Sequence, residues 1–170
     1  MATLNITLFP QNREHFARLL AFGQDVLDVC SDLKIMPILN ASLAVFVYTQ
    51  NREMVVNDID MLIPEANFSK LGDALAKHGM QVELKPYHVL RVLRDDLKID
   101  FDSQDYWPPV WGISLSETHI ITLFGKFQVK IMALHDLIRT YQVGALQDAN
   151  RSADYQTKLK ALERVQDRSE

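Results

Sequence analysis

A mixed α/β (α+β) chain is predicted by three observations. Helical and strand-like segments alternate along most of its length. Two short stretches carry acids at strand spacing, Asp58-Ile59-Asp60 and Lys98-Ile99-Asp100-Phe101-Asp102. Two amphipathic segments close the chain. The expected architecture is a mixed sheet flanked by helices, with C-terminal helices. With 170 residues, 48% of them apolar, one domain over 1–170 is expected, its core from about 35 to 131 and its closing helices from about 133 to 166.

The elements follow in order. Phe16, Leu19, Leu20, Val26, Leu27 and Val29 recur at helical spacing, predicting a helix from Gln11 to about Leu33, with Pro10 suited to its start. Met36-Pro37-Ile38-Leu39 has the length of a buried strand. Asn40-Ala41-Ser42 then reads as a tight turn capping a helix from Leu43 to about Gln50. After the polar loop 50–53, Val55 to Ile63 reads as a strand, and Pro64 ends it. A helix from Asn67 to His78 closes on Gly79 as its C′ residue. Met80–Lys85 is a strand, and Tyr87–Leu93 with Leu97–Asp102 forms a hairpin turning at Asp95-Asp96. Residues 107–112, with Trp107, Pro108, Pro109 and Trp111, read as an irregular connector. His119–Phe124 and Phe127–Ile131 form a second hairpin around Gly125-Lys126, and helices follow over Leu134–Gln147 and Ser152–Val165.

Composition narrows the function. A net charge of −4 disfavours a broad nucleic-acid surface, although a local basic patch stays open. Cys30 is the single cysteine, so no intramolecular disulfide forms and a reducing compartment is expected. There is no basic n-region followed by an apolar core at the N-terminus, and no run has the length of a membrane span, so a cytoplasmic, soluble protein is expected. The five histidines lack metal-ligand spacing.

The acids carry the chemistry. Side chains alternate along a strand, so Asp58 and Asp60 share one face, and Asp100 and Asp102 share one face of theirs. Neighbouring carboxylates repel unless a cation or proton lies between them. An oxygen-only set suits Mg2+, which completes its shell with water and phosphate. The helix start at Asn40-Ala41-Ser42 offers free N–H groups and a positive dipole end to phosphate. Taken singly, each piece also has a plain reading: Asp58 as a turn cap, Ser42 as an N-cap, Asp100 paired with Lys98 or an arginine on its own sheet. Trp107 and Trp111 read as a packed lid, with base stacking as the alternative. Arg91, Arg94 and Lys98 read as a solvated hairpin edge, with a phosphate-facing patch as the alternative.

Over about 35–102 this pattern resembles the nucleotidyltransferase superfamily, in which a Gly-Ser turn opens a helix, a D-x-D pair follows and a third acid lies on a later strand. Ser42, Leu43 and Ala44 match the helix start, Arg52 a basic residue before the acids, and Asp58-Ile59-Asp60 the pair. The tail is similar to the minimal, abortive-infection and antibiotic (aminoglycoside, lincosamide) branch: Val129-Lys130-Ile131 leads to Asp136-Leu137-Ile138, then Arg151 and Asp154. The resemblance implies a transfer of NMP from an NTP such as ATP to a hydroxyl on a small molecule, a protein or a tRNA. It implies Mg2+, or Mn2+, held by Asp58, Asp60 and Asp100, the last also as general base and with Asp102 as its rival. Phosphate binding would fall to Ser42, Ala41 and Arg52. The chain departs from the pattern in carrying Asn40 and Ala41 where glycines are frequent, and in having Arg139 as the nearest basic residue in the D-L-I helix. The alternative function is a nucleotide-binding or regulatory protein on the same fold without turnover. A partner protein stays open.

Overall fold

The structure, a computed structural model, describes the backbone of residues 3–6 and all of residues 14–169. Among these an eight-stranded mixed sheet runs in the order β1-β7-β8-β2-β3-β6-β5-β4. Its strands are β1 (Thr3–Ile6), β2 (Ile38–Asn40), β3 (Ile59–Ile63), β4 (Gln81–Lys85), β5 (Val89–Arg94), β6 (Leu97–Ser103), β7 (Thr118–Leu123) and β8 (Phe127–Met132). The helices are α1 (Glu14–Asp32), α2 (Ala41–Thr49), α3 (Phe68–Lys77), α4 (Trp107–Trp111), α5 (Leu134–Gln147) and α6 (Ser152–Ser169).

Most expected elements are present, and the differences have physical reasons. β1 was not expected: four residues without a clear alternation carry little signal, and the strand exists by pairing in parallel with β7. The expected helix start at Pro10 and Gln11 lies outside the described residues. β3 begins at Ile59, not Val55, so Asp58 stands just ahead of the strand on the loop from α2. The expected irregular connector is the short helix α4, with prolines in its first turn, where no N–H partner is needed, and Gly112 at φ 69° as its stop. Gly79, at φ 79°, occupies the expected position behind α3.

Alternation decides which face of each strand is covered. Ile59, Met61, Ile99 and Phe101 are buried on one face, against α1 and α3. The opposite face bears Asp60, Asp100 and Asp102, and α2, α5 and α6 pack around it. Parallel pairing of β3 with β6 sets Asp60 beside Asp100, as the need to bring the acids together requires. On the covered face, α1 approaches β3 at Gly23, where a Cβ would lie 2.8 Å from Ile59 Cδ1.

That approach predicts a coupled pair of substitutions. Gly23→Ala gains about 1 kcal/mol of helix propensity, but crowding a packed core costs about 1–3 kcal/mol, so the single variant should be destabilised. Ile59→Val removes the opposing methyl. Denaturant titrations of the two single variants and the double variant should show a favourable coupling, with Gly23→Ala stabilising once Ile59→Val is present; additive costs would mean that the helix simply shifts.

Candidate active site

A row of polar side chains crosses four adjacent strands. Asn40 pairs with Asp60 between β2 and β3, Asp60 with Asp100 between β3 and β6, and Asp100 with Arg91 between β6 and β5. The strands of a sheet lie about 4.8 Å apart, so the register alone brings these groups into one neighbourhood. They line a cleft of about 350 Å³ together with Ala41, Ser42, Asp58, Lys98 and Asp102. From α4, α5 and α6 come Trp111, Tyr141, Tyr155 and Lys158, and Arg151 joins them from the turn before α6. A second cavity of about 300 Å³, lined by Ser42, Asp58, Asn150, Arg151, Asp154 and Lys158, shares residues with it.

The helix start is strained. Asn40 ends β2 in extended backbone, and its side-chain oxygen accepts the Ala41 N–H at 2.7 Å. Ala41 then takes φ 51°, in the left-handed region. This turn needs the backbone that glycine adopts freely, and alanine holds it at a cost on the order of 1–2 kcal/mol. Ser42, nearly buried, follows in the first turn.

Resident cations meet several of the acids. Arg91 donates two parallel bonds to Asp100, Nε at 2.8 Å and Nη2 at 2.9 Å, and the carboxylate holds the guanidinium above its ordinary pKa. Lys98 Nζ lies 2.9 Å from Asp58 Oδ2 and 3.7 Å from Asp100 Oδ2. Burial works to lower the Lys98 ammonium, but the bond to Asp58 and the charges of Asp58, Asp100 and Asp60 outweigh it and raise its pKa. Lys158, 7% exposed, donates to Ser42 Oγ and to Asp154 Oδ2, each at 2.9 Å. Among the described residues no hydrogen bond or ion pair meets the carboxylate of Asp60 or of Asp102. Desolvation, then the charges of Asp58, Asp102 and Asp100, pushes Asp60 well above the carboxylate range. Desolvation and Asp100 push Asp102 up to about 7.

Solved structures with this arrangement of elements come from nucleotide transfer enzymes and their relatives. The crystal structure of ANT(2")-Ia in complex with adenylyl-2"-tobramycin matches with a TM-score of 0.64 over 86% of this chain and 92% of its own, at 12% identity. An antigenic nucleotidyltransferase-like protein from Paracoccidioides brasiliensis matches with a TM-score of 0.64 over 86% of this chain and 75% of its own, at 10% identity. The chain has the nucleotidyltransferase fold. No protein-family model matches the sequence, and no curated relative matches it significantly.

Within this fold the cleft suits a hard cation by chemistry, since its acids offer oxygen donors alone and, among the described residues, no cation stands in ion-pair contact with Asp60, Lys98 acting on it only at longer range. It is not a ready cage: among the described residues no three ligating side chains converge on one point. Arg91 and Lys98 stand against Asp100 and Asp58 instead. Of the residues singled out in the sequence, Ala41, Ser42, Asp58, Asp60, Asp100 and the rival Asp102 all reach the cleft. Arg52 does not line it; the turn after α2 carries this residue out to solvent. The reading of Arg91 and Lys98 as a solvated hairpin edge is corrected, because strand register turns both toward the acids. Arg94 does point away, to Asp25 and the ring of Phe22. Trp107 packs with the core and stacks on Trp111 at 5.9 Å, and Trp111 lines the cleft.

Lys158 was missed in the sequence. Its signal was there: with Tyr155, Leu159 and Leu162 it falls on one helical stripe, a lysine in the apolar face of an otherwise polar helix. It brings an ammonium to the hydroxyl of Ser42.

Two outcomes are expected. Ala41→Gly should stabilise the protein by about 1 kcal/mol, a rise of roughly 2–4 °C in Tm for a chain of this size, by relieving the positive φ; an unchanged or lower Tm would show that the turn carries no strain. The second concerns pH. Asp60 and Asp102 titrate higher folded than unfolded, so their contribution to stability is full below about pH 3.8 and is lost as pH rises through the folded values, about 7 for Asp102. The double variant Asp60→Asn, Asp102→Asn should therefore gain Tm over the native chain progressively as pH rises from 3.8 to about 7. A gap constant over that range would contradict the raised values.

Proposed function

We propose that the protein is a divalent-cation-dependent nucleotidyltransferase, moving NMP from an NTP to a hydroxyl acceptor and releasing pyrophosphate. The observation that carries this reading is the register that aligns Asp60 with Asp100 and with the Asn40 end of β2, from which α2 starts. The N-terminus of α2, Ser42 and Lys158 offer an N–H pole, a hydroxyl and an ammonium to the phosphates. Arg151, on the same cleft wall, adds a second cation.

Asp58, Asp60 and Asp100 would hold Mg2+, with Mn2+ as a substitute. When bound, the ion would neutralise phosphate charge and polarise the phosphorus centre. In the transfer, the acceptor hydroxyl gives up its proton, its oxygen bonds to the α-phosphorus, and the bond to the β-phosphate oxygen breaks. Asp102 is the better placed proton acceptor, because Arg91 engages both oxygens of Asp100 and Asp102 titrates near neutrality. An acceptor that is both hydroxylated and cationic is the first to test: the cleft holds Asp58, Asp60, Asp100 and Asp102, and ANT(2")-Ia was solved with adenylyl-2"-tobramycin.

A second reading, nucleotide binding without turnover, draws support from the strained Ala41 and from the cations standing on the acids. Incubation with each NTP, Mg2+ and a panel of hydroxylated acceptors, followed by mass spectrometry and a pyrophosphate assay, separates the two. The enzyme reading expects an acceptor heavier by one NMP and a loss of at least about 100-fold in rate for Asp60→Asn. NTP and Mg2+ together should also raise Tm more than either alone. Nucleotide binding with no pyrophosphate release, from the native chain or Ala41→Gly, would leave the second reading.

A further inference from the structure

We infer that Lys98 is a built-in competitor for the divalent cation, standing between Asp58 and Asp100 so that metal enters the cleft efficiently only together with nucleotide phosphate. The inference rests on the transfer reading for the identity of the nucleotide, but its core is a statement about the apo cleft. One ammonium, 2.9 Å from Asp58 and 3.7 Å from Asp100, reaches a carboxylate ahead of β3 and another on β6. Asp58 and Asp100 are two of the three carboxylates that would hold the ion.

The two resident cations differ in kind. Arg91 is fixed to Asp100 by a planar two-bond clamp, whereas Lys98 is a point charge on a flexible stem, 35% exposed. The lysine can therefore move while the arginine stays. Metal arriving alone must displace the Lys98 ammonium and break its ion pairs with Asp58 and Asp100. Metal arriving with a polyphosphate brings the anion that can receive it. Lys98 thus penalises free metal and spares metal–nucleotide, and it also keeps Asp58 and Asp60 from facing each other uncompensated when the cleft is empty.

Manganese binding to the nucleotide-free protein tests this directly, by calorimetry and by the Mn2+-dependent shift in Tm at physiological ionic strength. Lys98→Met, and independently Lys98→Gln, should bind Mn2+ at least tenfold more tightly than the native chain. Lys158→Met removes the same charge from the same cleft but leaves Asp58 and Asp100 covered, so it should gain much less. Adding Asp58→Asn to Lys98→Met should abolish the gain. Equal gains for the Lys98 and Lys158 variants would reduce the effect to net charge and overturn the inference. Unchanged or undetectable Mn2+ binding in both Lys98 variants would overturn it as well. Tightening without any NMP transfer in the companion assay would uphold the role of Lys98 and remove the transfer reading; transfer without tightening would do the reverse.

Discussion

Parallel pairing of β3 with β6 is the constraint on which the rest of the cleft depends. A slip of one residue in either strand would turn Asp60 or Asp100 onto the face covered by α1 and α3, where Ile59 and Ile99 now pack. The register is therefore enforced by the core, not by the acids. Burial of Ile59, Met61, Ile99 and Phe101 leaves no alternative placement for the residues between them. Carboxylates that repel one another are held together by apolar contacts on the other side of the same strands.

The cleft is electrically dense yet nearly balanced. Asp58, Asp60, Asp100 and Asp102 face Arg91, Lys98, Arg151 and Lys158 around one volume. The balance is uneven in space: Arg91 and Lys98 cover Asp100 and Asp58, Lys158 is tied to Ser42 and Asp154, and Asp60 is uncovered among the described residues. Uneven pairing of this kind leaves some charges settled and others at high energy, and such differences mark sites that exchange ions or protons with a ligand.

Much of this was legible in the residues. The alternation in Lys98-Ile99-Asp100-Phe101-Asp102 fixed which side chains share a face, and the Asn40-Ala41-Ser42 turn marked the start of α2. What was not legible depends on strand partners, and on local backbone geometry, that the residue pattern does not specify. The β1 strand exists through β7, the α4 helix through local proline and glycine geometry that also suits a loop, and the cleft-facing role of Arg91 through pairing with Asp100. The dipeptide spacing of Asp58 and Asp60 suggested one strand for both, but the loop from α2 delivers Asp58 before β3 begins. Local patterns encode faces; they do not encode which neighbour will occupy a face.

The bond between Lys158 and Ser42 joins residues 116 positions apart. Helix α6, which supplies Lys158, buries that lysine, Leu159 and Leu162 and otherwise presents mostly polar side chains. It packs chiefly along α5, with a smaller contact on α2. The strands that align the acids and the last helix of the chain therefore communicate through α2, which touches both β3 and α6 and carries the serine that Lys158 holds.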